Sequence, residues 1–146
     1  AGVLLAMIFR ALPAGGGGLS GAEAIGKCML GTPNYGAGVS TGTAVLVEAI
    51  LTFLLLFAVF GTAVDERAPK IGGFGIGLTV GMDILMGGPI TGAAMNPART
   101  IGTLIAGGTA TASLWSQHWV YWLGPIVGAV IAASVYDGFI GTKASK

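Results

Sequence analysis

An Asn-Pro-Ala-Arg sequence at residues 96 to 99 combines hydrogen-bond donors with a positive charge. Asn96 is a preferred N-cap residue and Pro97 suits the first helical position, so the pair predicts a helix start. Free N–H groups and the positive end of the helix dipole point out of such a start. Arg99 adds a charge of the same sign. Together these groups would repel cations, including hydronium, and donate hydrogen bonds to a neutral polar molecule.

The helix start lies in a very hydrophobic chain. Of its 146 residues, 53% are hydrophobic and only 9% are charged, whereas soluble domains have about 25% charged residues. A bilayer span needs about 20 mostly apolar residues. Residues 43–64, 71–88 and 118–139 fit this requirement, with Glu48 and Asp83 as the acidic residues in the first two. The composition predicts an all-α membrane protein.

The segment 89–117 between the last two spans contains helix breakers, yet it is too apolar for a solvated loop. Irregular backbone at membrane depth is tolerated only where protein or a water-filled cavity satisfies its polar groups. A half-helix over residues 97–106 would be about 15 Å long, half of a bilayer core. We therefore predict a re-entrant segment that enters the membrane and leaves on the same side.

The remaining segments are short or polar. Residues 1–12 look like the end of a helix, 13–42 a long loop, 65–70 a polar turn and 140–146 a tail. Lysine and arginine accumulate on the cytoplasmic side of membrane proteins. The distribution of these residues along the chain predicts that the 65–70 loop and the C-terminus are cytoplasmic and that the 13–42 loop is extracytoplasmic. Which membrane holds the protein does not follow from the sequence.

Several function classes find little support. A net charge of +1 gives no electrostatic surface for nucleic acid. The single cysteine, Cys28, forms no intrachain disulfide. Ser113, Ser116 and His118 fall in no motif that couples a nucleophile to a base, so no enzyme, metal or cofactor is predicted. An ion-coupled transporter would have only Glu48 and Asp83 for coupling.

Small residues recur at helical spacing in two spans, which lets helices approach closely in lipid. They are Gly73, Gly77 and Gly81 in one span, and Gly124, Gly128 and Ala132 in the other. We interpret both ladders as packing surfaces. For Asp83, a structural hydrogen bond between helices is favoured over a functional role. For His118, a structural position at the interface is favoured over a proton relay.

Three motifs in order resemble the aquaporin (major intrinsic protein) family. Residues 96–99 are similar to its second Asn-Pro-Ala box with the filter arginine. The segment that begins at Glu48 is similar to the start of its fourth helix, and residues 117–125 are similar to its sixth helix. The resemblance implies an aquaporin-like right-handed helical bundle, second repeat only. This comprises three transmembrane helices and a re-entrant half-helix, with residues 1–12 ending the third helix. The expected partners are the absent N-terminal half, the lipid bilayer and further copies in a homotetramer.

The resemblance also implies a site. Asn96, Pro97 and Ala98 would form the pore motif, and Ile84, Ala93 and Arg99 three positions of the selectivity filter. Glu48 would accept hydrogen bonds from the backbone of the re-entrant loop. Strict water channels tend to have histidine where Ile84 stands, so this filter is wider and less polar, similar to plant tonoplast-type and some bacterial members.

Other family markers favour water. Thr100 stands where glycerol channels tend to have aspartate, and Tyr121-Trp122 is the aromatic pair that those channels lack. The implied function is a passive channel for water that excludes protons and ions, with ammonia, urea and hydrogen peroxide as further candidate solutes. The alternatives are a glycerol or small-solute facilitator, and a non-conducting structural membrane protein.

Overall fold

The computed structural model describes residues 2–11, 29–69, 71 and 73–140, and this part is helical without strands. We number its α-helices in chain order: α1 Gly2–Ala11, α2 Thr41–Val59, α3 Phe74–Thr91, α4 Pro97–Gly107 and α5 Val120–Phe139. A π-helical turn, Phe60–Val64, continues α2. The 3₁₀ helices Met29–Gly31 and Gly108–Gln117 precede α2 and follow α4. Cys28, most of the 13–42 loop and residues 141–146 lie outside the described residues.

Within the described residues, three helical stretches are long and apolar enough to cross a membrane. They are Thr41–Val64, Phe74–Thr91 and Val120–Phe139, of 24, 18 and 20 residues. The predicted all-α membrane fold is confirmed. The expected end of the middle span at residue 88 is wrong, because α3 continues to Thr91 with Pro89 inside it. Proline is tolerated in membrane helices where neighbouring groups satisfy the freed backbone.

The helices α2 and α5 pack closely along the ladder of α5. Gly124, Gly128 and Ala132 are buried there. A methyl group at Gly124 would lie 2.7 Å from Cβ of Glu48 and 2.9 Å from the carbonyl oxygen of Val45. Only glycine allows this approach, as expected for small residues at helix interfaces in lipid. The ladder of α5 therefore sets the distance between the two helices.

The second ladder, on α3, behaves differently. A methyl group at Gly73, Gly77 or Gly81 would meet no atom within 4 Å in the described part of the chain. The described residues therefore do not confirm that this ladder is a packing surface. A neighbouring face of α3 packs on α2, where Gly87 lies against the side chain of Leu51.

The short helix α4 lies between α1 and the rest of the bundle. Ala106 and Ala110, at and after its end, pack against Ala6 of α1 and Leu30. With 11 residues, α4 is about 16 Å long and covers about half of a bilayer core. The end of α4 is therefore held against α1 and Leu30.

The turn between α2 and α3 is tied to the end of α5. Asp65 pairs with Arg67 and accepts a hydrogen bond of 3.0 Å from the hydroxyl of Tyr136, while Arg67 donates to the carbonyl oxygen of Ile140. The hydrogen bonds from the side chain and backbone of Arg67 hold the pKa of Asp65 well below its usual range. Asp65 is therefore an acceptor at any pH near neutrality.

Candidate pore loop and selectivity filter

The start of α4 has the capping geometry predicted for Asn96. Its backbone is extended, and its Oδ1 accepts hydrogen bonds from the N–H groups of Ala98 (2.8 Å) and Arg99 (3.3 Å). Pro97 occupies the first helical turn, where its missing N–H is no loss. Because Oδ1 is used by the cap, the amide NH₂ of the exposed Asn96 points away from the helix and is available to donate.

The loop before α4 has a strained backbone. Ala93 and Met95 have φ angles of 43° and 51°, in the left-handed region that residues other than glycine rarely adopt. Gly92 also has a positive φ, and a methyl group there would lie 2.7 Å from Cα of Pro33. Strained residues persist only where their surroundings hold them. The question is therefore which groups hold residues 92 to 95.

Glu48 of α2 is the main support of this loop. Its side chain is fully buried. One carboxylate oxygen accepts from the N–H of Ala94 (3.0 Å) and the hydroxyl of Thr91 (2.6 Å), and the other from the N–H of Met95 (2.7 Å). Hydrogen bonds to a charged acceptor are stronger than neutral ones, and they offset the cost of burying the carboxylate.

Tyr121 of α5 adds a second support. It is fully buried, and its hydroxyl donates a hydrogen bond of 2.8 Å to the carbonyl oxygen of Thr91. The hydroxyl of Thr91 also accepts from the N–H of Ala93, at 3.3 Å. Thr91 thus joins α2, α5 and the loop. Thr91 could not be identified from the sequence, because no spacing rule separates it from the other threonines of this segment.

The three residues that the sequence predicts for the filter, Ile84, Ala93 and Arg99, differ in burial and contacts. Arg99 donates a short hydrogen bond from Nη1 to the carbonyl oxygen of Ala93, so these two residues lie together. Ala93 is fully buried, whereas Arg99 is exposed. Ile84 is 44% exposed on α3. The guanidinium of Arg99 has five N–H donors, and the contact with Ala93 uses one of its nitrogens, Nη1.

The residues that the sequence predicts as markers of solute choice are Thr100, Tyr121 and Trp122, and two of them are buried. Thr100 is 1% exposed and Tyr121 is fully buried, so neither belongs to the surface on which Arg99 is exposed. Trp122 is 45% exposed at the start of α5. The aromatic pair is therefore divided: Tyr121 packs inward, and Trp122 lies at the surface, where amphipathic aromatic rings favour the membrane interface.

His118 lies in the turn just before α5. The indole N–H of Trp122 donates to its Nε2 at 2.9 Å, and its ring stacks edge-on with Trp115. Nδ1 of His118 is buried without a hydrogen-bond partner among the described residues. Burial lowers the pKa of His118 below its ordinary value of 6.5. These contacts need a neutral ring, which supports a structural role.

We expect the imidazole signals of His118 to titrate below pH 6.5 in an NMR experiment. His118 is the single histidine of the 146 residues, and comparison with His118→Gln assigns its signals in the native polypeptide. Because the unfolded chain binds this proton more readily, the contribution of His118 to stability is complete above pH 6.5 and falls as the pH drops through the lowered pKa. His118→Gln should remove that pH dependence. A midpoint above 6.5 would contradict the prediction.

Together these features define an all-α, multi-pass membrane protein in which a buried loop precedes the short helix α4. The sequence model of the family described as Major intrinsic protein matches residues 4–136, and the chain belongs to this family. It is an integral membrane protein.

Curated proteins named aquaporins are similar to the chain. Aquaporin TIP4-4 of Zea mays is 51% identical over 106 residues, which are 70% of this chain and 40% of that protein. Probable aquaporin TIP1-2 of Oryza sativa is 45% identical over 124 residues, 82% of this chain and 47% of that protein. Aquaporin A of Dictyostelium discoideum is 44% identical over 111 residues, 73% and 38% respectively. The chain thus spans less than half the length of these relatives.

Proposed function

We propose that this chain forms one half of a passive transmembrane channel for water that excludes protons and ions. The observation that supports this most is the loop held by Glu48, which presents Asn96 and Arg99 at the start of a half-helix. Their exposed N–H groups are donors, and water is a small neutral acceptor. No chemical step is needed, so the proposed function is not enzymatic.

Exclusion of cations follows from the charges of the same site. The positive end of the α4 dipole and the guanidinium of Arg99 lie at one place, and the hydrogen bond to Ala93 fixes the guanidinium. A hydronium ion that approaches meets this positive potential, whereas a water molecule only exchanges hydrogen bonds. The arrangement therefore favours neutral permeants.

The low polarity of the proposed filter suggests further solutes. Ile84 and Ala93 contribute no polar side chain, so we propose that ammonia, urea and hydrogen peroxide pass as well. A glycerol facilitator is the alternative. Thr100 and the Tyr121-Trp122 pair favour water, since glycerol channels of the family tend to have aspartate at the first position and to lack the aromatic pair.

The setting of the channel is also a proposal. We propose that the other half of the pore comes from a segment similar to the N-terminal half of the relatives, and that the complete channels form homotetramers. The 65–70 turn and the C-terminus would face the cytoplasm, and α4 would enter from the opposite side.

Arg99→Val tests the proposal in the native polypeptide that carries this sequence. We expect fast water flux without proton leak in wild-type proteoliposomes, measured by stopped-flow shrinkage and an internal pH probe. The variant should keep water flux and gain a proton leak, because the charge at the filter is removed. Arg67→Val is the matched control. It removes the arginine of the turn between α2 and α3, and this variant should not leak protons.

Three outcomes would contradict the proposal. Water flux no faster than in empty liposomes, from protein that is shown to be folded, would favour a structural role. Equal proton leak in wild type and Arg99→Val would remove Arg99 as the barrier to cations. Glycerol flux as fast as water flux would favour the facilitator.

A further inference from the structure

The segment of residues 32–35, which precedes α2, packs directly against the candidate pore loop. A methyl group at Gly92 would lie 2.7 Å from Cα and 3.0 Å from Cβ of Pro33, so there is no room for a side chain between the two backbones. Gly92 ends α3. The next residue is Ala93, whose carbonyl oxygen accepts the hydrogen bond from Arg99. Pro33 is therefore in contact with the loop one residue away from the group that anchors the guanidinium.

Two attachments hold this segment, one on each side of Pro33. Before it, Leu30 is 4% exposed and has a φ of 52°, a strained backbone that persists only where its surroundings hold it. Leu30 packs with alanines of α1 and of the chain at and after the end of α4, namely Ala6, Ala106 and Ala110. After Pro33, the segment is attached through Tyr35 to a single side chain, that of Gln117.

Gln117 makes two hydrogen bonds with the backbone of Tyr35. Its Oε1 accepts from the N–H group of Tyr35 at 3.1 Å, and its Nε2 donates to the carbonyl oxygen of Tyr35 at 3.3 Å. The two residues lie 82 positions apart in the sequence. A side-chain amide has both an acceptor and donors. Because both are used on one residue, they fix the direction of its backbone as well as its distance.

The location of these two bonds favours a role in positioning over a role in stability. Gln117 ends the 3₁₀ helix that follows α4, so it connects the chain after the half-helix with the chain before α2. Both hydrogen bonds are only partly buried. Their loss leaves no fully buried polar group without a partner, so the cost in folding stability is small. What changes is the place of the segment that contacts Gly92.

We propose that Gln117 is a positioning residue for the selectivity filter. Its two hydrogen bonds keep Pro33 packed against Gly92. This contact in turn holds the carbonyl oxygen that anchors Arg99. Gln117 acts through the backbone and needs no contact with the permeating molecule. The inference rests on the proposed function, because a filter has a meaning only in a channel.

Gln117→Leu tests the proposal in the native polypeptide, reconstituted in proteoliposomes. Leucine has a similar size but neither an acceptor nor a donor. We expect the ratio of urea to water permeability, measured by stopped-flow light scattering, to rise about threefold or more, because a less firmly held Arg99 narrows the filter less. The unfolding temperature should stay close to that of the wild type. Ser116→Ala is the matched control and should keep the wild-type ratio, since the hydroxyl of Ser116 donates to Ser113 within the same 3₁₀ helix.

Gln117→Glu separates positioning from a general structural role. A protonated glutamic acid accepts and donates as glutamine does, whereas an ionised glutamate cannot donate to the carbonyl oxygen of Tyr35. The permeability ratio should therefore equal that of Gln117→Leu at about pH 8 and return toward the wild-type value as the pH falls through the pKa of glutamate, about 4.3. Urea and water are neutral, so the added charge does not act on their ratio directly. The wild type, measured at the same pH values, corrects for the titration of His118.

Exchange of backbone amide hydrogens reports the same contact without any flux. The N–H groups of Ala94 and Met95 donate to Glu48. In Gln117→Leu, we expect the peptide that covers residues 92–95 to exchange several-fold faster, measured by mass spectrometry in nanodiscs, and peptides of α2 to exchange as in the wild type. This pattern would show that the two bonds of Gln117 act on the pore loop.

The proposal is overturned if Gln117→Leu keeps the wild-type permeability ratio, or if Gln117→Glu shows no pH dependence beyond that of the wild type. It is also overturned if Gln117→Leu unfolds well below the wild type, since Gln117 would then serve the fold as a whole. A wild type that conducts no water removes the proposed function. Unchanged exchange at residues 92–95 removes the role of Gln117 instead, so the two failures are distinguishable.

Discussion

Glu48→Gln is expected to abolish most water flux and to destabilise the folded protein by about 2–4 kcal/mol. Glutamine has the same shape, but its NH₂ group cannot accept a hydrogen bond. Of the three donors that Glu48 satisfies, at least the N–H of Met95 or that of Ala94 would face another donor in a buried site. The left-handed residues of the loop would lose the group that holds them.

Thermal unfolding in detergent and stopped-flow water flux in proteoliposomes measure this effect. Glu66→Gln is the matched control, because Glu66 is exposed in the turn after α2 and the same chemical change there removes no buried acceptor. Unchanged flux together with an unchanged unfolding temperature in Glu48→Gln would show that Glu48 does not hold the loop.

Gly128→Ala is expected to have the second large effect, a loss of about 3 kcal/mol or more of stability. A methyl group at Gly128 would overlap with the carbonyl oxygen of Ala49 and lie 3.0 Å from the backbone nitrogen of Phe53. Both are backbone atoms of α2, which cannot move aside as a flexible side chain can. The helices α2 and α5 would have to separate, and Glu48 and Tyr121 would move with them.

The yield of folded protein and the unfolding temperature of Gly128→Ala measure the separation of the helices. Gly138→Ala, near the end of the same helix, is the control, since a methyl group there meets no atom within 4 Å. Equal stability of the two variants would show that the close approach at Gly128 is not required.

Local chemistry was sufficient to predict several parts of this protein. The three spans follow from runs of apolar residues, and the start of α4 follows from the capping preference of Asn96 and the fixed φ of Pro97. The ladder of α5 was also interpreted correctly as a packing surface, because its small residues recur at helical spacing. Each of these properties depends on residues within one or two turns of each other.

Other features depend on contacts between distant parts of the chain. Glu48 meets Ala94 and Met95 from 46 and 47 residues away. Its partners were expected only through the family resemblance. The bond of Tyr121 to Thr91 could not be predicted from local patterns. Nor could two features of the described residues, the ladder of α3 that they leave uncovered and Oδ2 of Asp83, which has no partner among them. Periodicity shows which residues share a helix face, but only the packing of the helices decides which face meets a partner.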